Sequence, residues 1–343
     1  MIIVMHPGAS KKQLKEVIDR IEELGYTPHV IHGETRNVIG AIGDERGKAR
    51  LQYLEALPGV ERVVPILRPY KLASIEVKDE RAGERSIIHV AEGVDVGGPR
   101  ITVIAGPCSV ESRESLLHIA AEVRDAGALM LRGGAYKPRT SPYAFQGLEA
   151  EGLRYLAEAR EQTGLPVVTE VVNPEDVDLV YEFVDVLQVG ARNVQNFALL
   201  KRLGSLDKPI LLKRGMMTTI DEFLMSAEYI LSAGNDRVIL CERGIRTFET
   251  ATRNTLDISA VPVLKERTHL PFIVDPSHAS GHWQYVHPLS LAAVAAGADG
   301  IMVEVHPEPE IAMCDGPQSL KPGKFRELMQ ALEKIADAVG RKI

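Results

Sequence analysis

The spacing of hydrophobic positions divides the chain into two parts. Over the first seventy residues, short apolar runs and two amphipathic segments follow one another as strand, helix, strand, strand, helix and strand. The pattern places these elements at Ile2–Met5, Lys11–Leu24, Thr27–Ile31, Arg36–Ile42, Lys48–Ala56 and Val60–Ile66. That order predicts a ferredoxin-like βαββαβ domain over residues 1–70. Residues 71–98, which include the polar stretch Lys78–Arg85, are expected to form a linker or a hairpin.

From Arg100 onward, short apolar runs alternate with longer amphipathic segments, the pattern of a parallel sheet covered by helices. The eight runs are Ile101–Ala105, Ala128–Leu131, Pro166–Thr169, Val186–Val189, Ile210–Leu212, Val238–Leu240, Phe272–Val274 and Gly300–Val303. A helical segment follows each run, and the last is Lys324–Val339. Eight such units favour a closed (β/α)8 TIM barrel over residues 99–343, which is close to the length of about 250 residues typical of that fold. A doubly wound open sheet is the alternative arrangement of the same elements.

Composition and charge narrow the class of protein. Hydrophobic residues make up 45% of the 343 residues and charged residues 25%, which is the profile of an ordinary globular protein. The formal net charge of −7 argues against a general nucleic-acid binder, because such proteins carry a basic surplus. Lys11 and Lys12 follow the apolar start too soon for a signal peptide, and no apolar run is long enough to span a bilayer. A cytoplasmic protein is therefore expected.

Ionisable side chains cluster at one end of the predicted barrel. Catalytic residues of such barrels lie where the strands end, so the residues that follow each run are the candidates. In chain order these are Cys108, Arg132, Lys137, Arg139, Glu170, Arg192, Lys213, Glu242, Arg243, His278, Glu304, His306 and Asp315. The strand starts carry fewer such residues, and several begin with proline, as expected for structural turns.

Six of these candidates are cations in a protein whose net charge is negative. They are Arg132, Lys137, Arg139, Arg192, Lys213 and Arg243. Close together they would repel one another unless anionic ligands completed the site, and Arg and Lys are the side chains that bind phosphate and carboxylate. Any one of them could instead form a surface salt bridge. Their position at successive strand ends predicts multiply anionic substrates that bring two anionic groups to the site.

A second subset consists of Cys108, His278, Glu304 and Asp315. These residues follow the first, seventh and eighth runs, and closure of a barrel would make those three strands neighbours. One thiolate, one imidazole and two carboxylates suit a divalent transition metal such as Mn, Fe, Co or Zn, whereas the sulfur argues against Mg or Ca. Each residue alone has an ordinary structural explanation. Their joint placement predicts a metal site.

The other two cysteines lead to different expectations. Cys241 follows an apolar run and is expected to pack in the core. Cys314 adjoins a predicted metal ligand and could approach Cys108, so a disulfide between the two is left open. Three cysteines are too few for a disulfide scaffold in a chain of this length. No specific role is predicted for His306.

Seven segments carry a family resemblance. They are AGPCSVE (105–111), LRGGAYKPRTSPYAFQG (131–147), QVGARN (188–193), LLKRG (211–215), CERGIRTFE (241–249), DPSH (275–278) and EVHPEP (304–309). The chain resembles the type I 3-deoxy-D-arabino-heptulosonate 7-phosphate (DAHP) synthases, above all the subgroup with an N-terminal ferredoxin-like regulatory domain. The related 3-deoxy-D-manno-octulosonate 8-phosphate (KDO8P) synthases interrupt the KPRTSPY stretch with an additional Ala-Asn, which is missing here.

The resemblance implies a role for each matching position. The metal ligands would be Cys108, His278, Glu304 and Asp315. The phosphoenolpyruvate site would contain Arg132, Lys137, Arg192, Lys213 and Arg243. The erythrose 4-phosphate site would contain Arg139 and Thr140. The residues expected to take part in catalysis are Lys137, His278 and Cys108.

The implied activity opens the shikimate pathway to the aromatic amino acids. C3 of phosphoenolpyruvate attacks the C1 aldehyde of erythrose 4-phosphate, water adds at C2, and phosphate leaves to give DAHP. The metal would polarise the aldehyde oxygen. Lys137 is expected to protonate or orient a substrate oxygen, with a pKa lowered by neighbouring arginines.

Three alternatives stay open at this point. A KDO8P synthase would use arabinose 5-phosphate on the same fold. A metal-dependent sugar-phosphate aldolase would need the metal and one phosphate site, which leaves the second group of cations without a purpose. A barrel that only senses metabolites would not need a complete set of metal ligands.

The small domain is expected to regulate catalysis without taking part in it, because every candidate catalytic residue lies beyond Ala105. The resemblance implies feedback inhibition by tyrosine or phenylalanine and a homotetramer or dimer. The alternative is that the domain only assembles subunits or shields one face of the barrel.

Overall fold

A computed structural model of the chain describes residues 1–32, 36–43, 45–64, 69–75, 85–139 and 141–343. They form two compact units, Met1–Pro69 and Tyr70–Ile343. The first unit has nearly the bounds expected for the small domain. The second begins at Tyr70, one residue before the stretch expected to be a linker or a hairpin. Within the described ranges, no helix is both long and apolar enough to cross a membrane.

The first unit is a four-stranded antiparallel sheet with helical segments between its strands. Its elements are β1 (Ile2–Met5), α1 (Lys11–Glu23), β2 (Thr27–His32), β3 (Asn37–Ile42), a 3-10 helical segment (Glu45–Ala56) and β4 (Val60–Val64). The strand order is β2-β3-β1-β4, and every neighbouring pair is antiparallel. This is the predicted ferredoxin-like order. The predicted end of the last strand, Ile66, lies outside the described residues.

The core of this unit lies between the helical segments and the sheet. Helix α1 begins at a reciprocal cap in which Ser10 and Gln13 bond each other's backbone amides, and it buries Val17 and Ile21. The segment predicted as a second α-helix is a 3-10 helix instead. Its two buried leucines, Leu51 and Leu54, are three residues apart, and side chains at that spacing lie directly above one another at three residues per turn.

The second unit is a closed barrel of eight parallel strands, as predicted. A hairpin of β5 (Ile88–Ala91) and β6 (Val94–Val96) comes first. The barrel strands are β7 (Thr102–Gly106), β8 (Met130–Arg132), β9 (Val167–Val171), β10 (Val186–Val189), β11 (Ile210–Lys213), β12 (Val238–Glu242), β13 (Phe272–Val274) and β14 (Gly300–Glu304). Each pairs with the next along the chain, and β14 pairs with β7 to close the barrel. An open doubly wound sheet is thereby excluded.

Helices cover the outside of the barrel. They are α2 (Arg113–Asp125), α3 (Glu149–Thr163), α4 (Val177–Phe183), α5 (Phe197–Gly204), α6 (Ile220–Ser232), α7 (Ala260–Arg267), α8 (Pro276–Ser280), α9 (Trp283–Ala295) and α10 (Pro322–Ala338). The strands are buried on both faces, which explains why they appear in the sequence as continuous apolar runs without alternation.

The stretch expected to be a linker belongs in part to the barrel. Tyr70 and Ala73 are buried in the core between the strands and the helices. The backbone amides of Leu72 and Ala73 donate to the carboxylate of Glu228 on α6 at 2.9 and 2.8 Å. Residues 71–98, expected to form a linker or a hairpin, thus include residues that contact the barrel as well as the hairpin of β5 and β6. The charges of Lys78–Arg85 suggested a solvated connection, whereas residues on either side of that stretch are tied to the barrel.

The hairpin closes the amino-terminal end of the barrel. Ile88, Val94 and Val96 are buried in one cluster with the inward-facing strand residues, including Ile104 and Met302. The Thr102 hydroxyl at the start of β7 donates to the carbonyl of Asp95 at 2.9 Å. An apolar floor of this kind leaves the carboxyl end of the strands as the open end of the barrel.

Candidate active site

A cavity of about 390 Å³ lies at the carboxyl ends of the barrel strands. All six cations predicted from the strand ends line it. Two further arginines, Arg246 and Arg253, lie on the loop between β12 and α7 and were missed, because they come several residues after the strand. Thr140, the other predicted residue of the erythrose 4-phosphate site, lies outside the described residues.

The four predicted metal ligands converge on one side of this cavity. Each of Cys108, His278, Glu304 and Asp315 offers a ligand atom, and these atoms all lie within 4.8 Å of one another. His278 Nε2 is 3.3 Å from Glu304 Oε1, and Cys108 Sγ is 3.4 Å from Asp315 Oδ2. Pairing of β13 with β14 and of β14 with β7 brings them together, as barrel closure predicted. One thiol, one imidazole and two carboxylates fit a divalent transition metal.

Asp275 fixes the orientation and the proton position of the His278 ring, so that the ring can bind a metal ion. Its Oδ2 atom lies 2.8 Å from His278 Nδ1 and 2.5 Å from Lys213 Nζ. Because a carboxylate can only accept, the proton of the neutral ring lies on Nδ1 and the lone pair lies on Nε2, which faces the other ligands. Burial lowers the pKa of His278, which favours this neutral ring. Asp275 lies within the DPSH segment, but the sequence analysis gave it no role.

The two carboxylates are held in their charged form. Burial opposes the ionisation of Glu304, yet His278 and Arg132 together lower its pKa. Burial also opposes the ionisation of Asp315, and Arg253 is the main group that nevertheless lowers its pKa to about 2. Arg132 Nη1 donates to Glu304 Oε1 at 2.6 Å, and both side chains are buried. The carboxylates are therefore ready to bind a cation without first losing a proton.

The loop that carries Asp315 begins and ends on β14. Leu320 N donates to Glu304 O at 2.8 Å, and His306 N donates to Leu320 O at 2.9 Å, which closes the loop at its base. Asp315 has a left-handed backbone with φ of 51°. Gly316 follows it against Pro309, where an added Cβ would lie 2.0 Å from the Pro309 carbonyl oxygen. Only glycine fits at that point, so the tight path of the loop depends on it.

His306 and Glu111 fasten the same loop to the loop after β7. His306 Nδ1 accepts from the Glu308 amide at 3.1 Å, so a neutral ring carries its proton on Nε2, which lies 3.4 Å from Glu111 Oε2. The other oxygen of Glu111 accepts from the Met313 amide at 2.8 Å. These contacts give His306 a structural place near the site, for which the sequence offered no specific signal.

Two cysteines face each other beside the metal ligands. Cys108 Sγ and Cys314 Sγ are 3.1 Å apart. The hydrogen bond with Cys314 and burial raise the pKa of the Cys108 thiol, whereas the same bond and the charge of Lys137 lower the pKa of Cys314 to about 7 against the effect of burial. Lys137 Nζ contacts Cys108 Sγ at 3.2 Å, and Arg139 Nη1 contacts Cys314 Sγ at 3.0 Å.

The expected lowering of the Lys137 pKa is wrong. Burial does oppose its charge, but the nearby Cys108 and Cys314 sulfurs outweigh burial and Arg132, so the pKa is raised. The neighbouring arginines are apparent from the sequence, whereas the position of the two sulfur atoms against the ammonium group is not. Lys137 is consequently a permanent cation of the cavity wall.

The cations differ in how far carboxylates neutralise them. Arg132 pairs with Glu304, and Lys213 pairs with Asp275. Among the described residues, Arg192 and Arg243 have no carboxylate partner, and burial lowers the pKa of Arg243 without removing its charge at neutral pH. These two arginines are available to an anionic ligand.

Glu242, a candidate from the strand ends, and Cys241, which was expected to pack in the core, lie outside this arrangement. Glu242 is fully buried and accepts from Arg214 Nη1 at 2.9 Å, while Arg214 also contacts Asp257. The Glu242 carboxylate also accepts from the Gly244 amide at 2.7 Å, so it fixes the backbone that follows Arg243. Cys241 is buried among the inward-facing barrel residues, which confirms the expected packing role.

The fold and the site together define a (β/α)8-barrel enzyme in which four side chains that could hold a metal ion lie beside a cavity lined by cations. The comparisons with known proteins give the family. The model of the DAHP synthetase I family matches residues 77–341, and that of the DAHP synthase ferredoxin-like domain matches residues 1–68. The chain belongs to the DAHP synthetase I family.

Relatives with two different names are similar to this chain. A phospho-2-dehydro-3-deoxyheptonate aldolase of Thermotoga maritima is 52% identical over 343 residues, with 100% of both chains covered. A crystal structure of that enzyme, described as DAHP synthase, has a TM-score of 0.90 and covers 99% of this chain and 98% of its own. A 2-dehydro-3-deoxyphosphooctonate aldolase of Syntrophobacter fumaroxidans is 34% identical over 263 residues, which cover 71% of this chain and 89% of that protein.

Replacing the proposed sulfur ligand tests the metal site. Cys108→Ser exchanges a soft thiolate for a poorly ionised hydroxyl, so metal affinity should fall by more than the roughly 10–100-fold typical when a group behind a ligand is changed. Turnover should fall with it. Mn²⁺ titration of the chelator-treated variant measures the affinity. Cys241→Ser is the matched control and should cost about 1–3 kcal/mol of unfolding free energy while keeping metal affinity. Full turnover of Cys108→Ser after exhaustive chelation would contradict the assignment of Cys108 as a metal ligand.

Oxidation of the metal-free protein should join Cys108 to Cys314. Their sulfurs are 3.1 Å apart and need approach only to a bonding distance of about 2.0 Å. Treatment with a thiol oxidant should remove two free thiols and two protons and prevent reactivation by added metal, and a reductant should restore both. Cys314→Ser should be resistant. Mass spectrometry that finds Cys108 and Cys314 free after oxidation would contradict this expectation.

Proposed function

We propose that the cavity at the carboxyl end of the barrel condenses phosphoenolpyruvate with erythrose 4-phosphate and water to give DAHP and phosphate. The observation that carries the proposal is that four candidate metal ligands converge beside a cavity lined by eight Arg and Lys side chains. Membership of the DAHP synthetase I family supports the same reaction. Two phosphates and one carboxylate need such a surplus of positive charge.

Phosphoenolpyruvate would bind to Arg132, Lys137, Arg192, Lys213 and Arg243. Arg192 and Arg243 support this role best, since neither has a carboxylate partner among the described residues. Lys213 and Arg132 are already paired with buried acids, so their positions are fixed before a ligand arrives. Lys137 would place a fixed positive charge beside the substrate oxygens. Holding two mutually repelling anions in attack geometry is worth up to about 7–11 kcal/mol in favourable cases.

Erythrose 4-phosphate would bind toward Arg139 and Thr140. Arg139 lines the cavity and lies beside Cys314, next to the proposed metal ligands. A divalent metal bound at Cys108, His278, Glu304 and Asp315 would act as a Lewis acid on the aldehyde oxygen. The cations and the bound metal would thus bring the C1 aldehyde of erythrose 4-phosphate close to C3 of phosphoenolpyruvate. Asp275 would hold the neutral His278 ring in place.

The choice of aldose phosphate is supported by two features of the chain. The first 68 residues match the DAHP synthase ferredoxin-like domain, whereas the octonate aldolase relative from Syntrophobacter fumaroxidans aligns with 71% of this chain. The KPRTSPY stretch, which includes Arg139, is uninterrupted. Both features favour erythrose 4-phosphate over arabinose 5-phosphate.

Phosphate release measures the proposed reaction directly. With phosphoenolpyruvate and erythrose 4-phosphate present, the full-length protein should release phosphate, and replacement by arabinose 5-phosphate should lower kcat/KM by at least about tenfold. Chelation should abolish release, and added Mn²⁺ should restore it. A preference for arabinose 5-phosphate would favour the KDO8P synthase alternative. Cleavage of a sugar phosphate without phosphoenolpyruvate would favour an aldolase.

The N-terminal unit would regulate this reaction through tyrosine or phenylalanine, in an assembly that we expect to be a homotetramer or dimer. Its own buried core, which includes Ile3, Val17, Ile39 and Leu54, supports independent folding. The described residues that line the catalytic cavity all belong to the second unit. An inhibitor bound there could act only by favouring one conformation of the enzyme over another.

Removal of the N-terminal unit should keep turnover and abolish inhibition. The truncated protein should begin at Pro69, because a start near Ser74 would delete Tyr70 and the Leu72 and Ala73 amides that bind Glu228. A truncated DAHP synthase of Thermotoga maritima has a TM-score of 0.73 and covers 80% of this chain. Both proteins are titrated with tyrosine and phenylalanine at saturating metal. Equal inhibition of the full-length and truncated proteins, or inhibition of neither protein, would contradict the regulatory role. A truncated protein that is folded but inactive would show that the N-terminal unit contributes to catalysis.

A further inference from the structure

Gln318 is a buried amide between two charged groups of the site. It lies on the loop between β14 and α10, three residues after Asp315, and is 2% exposed. Its Nε2 donates to Glu304 Oε2 at 2.8 Å, and its Oε1 accepts from Arg253 Nη1 at 2.9 Å. Both ends of the amide are therefore satisfied without solvent.

The chemistry of these partners permits one orientation of the amide. A carboxylate only accepts and a guanidinium only donates, so a flipped amide would face Glu304 with its oxygen and Arg253 with its nitrogen. Both contacts would then be repulsive. The oxygen and nitrogen of Gln318 are thus fixed by Glu304 and Arg253, and Gln318 in turn fixes Glu304.

Arg253 extends the contact to the second carboxylate. Its Nη1 atom is 3.2 Å from Asp315 Oδ1 in addition to the bond with Gln318. Glu304 and Asp315 are therefore connected through Gln318 and Arg253, which we call the carboxylate bridge. Glu304 comes from a strand and Asp315 from a loop, so the bridge couples a rigid element to a less regular one.

The bridge also decides which oxygen of Glu304 faces the other ligands. Gln318 holds Oε2, while Oε1 faces His278 Nε2 at 3.3 Å and accepts from Arg132. Without Gln318 the carboxylate would keep only its Oε1 partners and could turn about its terminal torsion, which is a broad energy well for this side chain. A buried oxygen would also lose its donor.

We infer that Gln318 is a positioning residue that fixes the Glu304 carboxylate and, through Arg253, its separation from Asp315 for binding a divalent metal. This inference rests on the proposed metal site. Gln318 does not itself contribute a ligand. Groups that hold a metal ligand from behind typically change metal affinity or activity by about 10–100-fold when they are replaced.

The test measures metal binding by the full-length protein rather than activity alone. Gln318→Met keeps the length of the side chain and removes both hydrogen bonds. Gln318→Glu keeps an acceptor for Arg253 but turns a carboxylate toward Glu304. Chelator-treated proteins are titrated with Mn²⁺, and Co²⁺ absorption spectra report the geometry around the ion. Both variants should bind Mn²⁺ about 10–100-fold more weakly and give altered Co²⁺ spectra.

The kinetic pattern separates positioning from a loss of packing. At saturating Mn²⁺ the KM for phosphoenolpyruvate should stay within about twofold, because the cations that would bind it are unchanged, while kcat falls. Gln330→Met on the exposed side of α10 is the matched control and should leave metal affinity and kcat as in the parent. Circular dichroism and thermal unfolding establish that each variant is folded. Gln318→Asn replaces Gln318→Met if the latter unfolds.

The outcomes distinguish failure of this inference from failure of the proposed function. If the parent binds no Mn²⁺, the metal site itself is wrong. If the parent binds and the folded Gln318 variants bind within twofold of it with unchanged Co²⁺ spectra, the positioning role is overturned. A lower melting temperature with unchanged metal affinity would also overturn the positioning role, because it would show that Gln318 contributes only to the packing of the loop.

Discussion

A carboxylate buried at the end of β14 determines how the site is built. Glu304 is fully buried, so its negative charge must be compensated by nearby groups or removed by protonation. Arg132 from β8, Gln318 from the following loop and His278 from the end of β13 all face its two oxygens. Each partner comes from a different part of the barrel. The need to compensate one buried charge therefore fixes the relative positions of four elements, and the neighbouring ligands follow from those positions.

Two kinds of cation surround this centre, and the difference explains how a negative protein can bind anions. Arg132 and Lys213 are paired with buried acids and contribute rigid positions. Arg192 and Arg243 are free of carboxylates among the described residues and contribute uncompensated charge. The first kind is held in place before a ligand arrives, and the second carries charge that an anionic ligand can neutralise.

The sequence could predict what depends on periodicity and on strand ends. The eight strands, the convergence of the four candidate metal ligands and the six cations of the cavity follow from apolar runs and from the residue types that come after them. Gln318 and Arg253 could not be found in this way, because they act through contacts between loops that have no repeating pattern. The Lys137 pKa was misjudged for the same reason, since its direction depends on two sulfur atoms placed by different loops. The 3-10 segment was misread because the spacing of Leu51 and Leu54 is compatible with both helix types.

The apolar hairpin closes the end of the barrel opposite the cavity. Ile88, Val94 and Val96 are buried there together with inward-facing strand residues. Among the described residues, the loops at the carboxyl ends of the strands surround the open end of the cavity. Ligands that enter and water that they displace would pass these loops in opposite directions. A substitution in the loops can therefore change the rate of ligand exchange without touching a reacting atom.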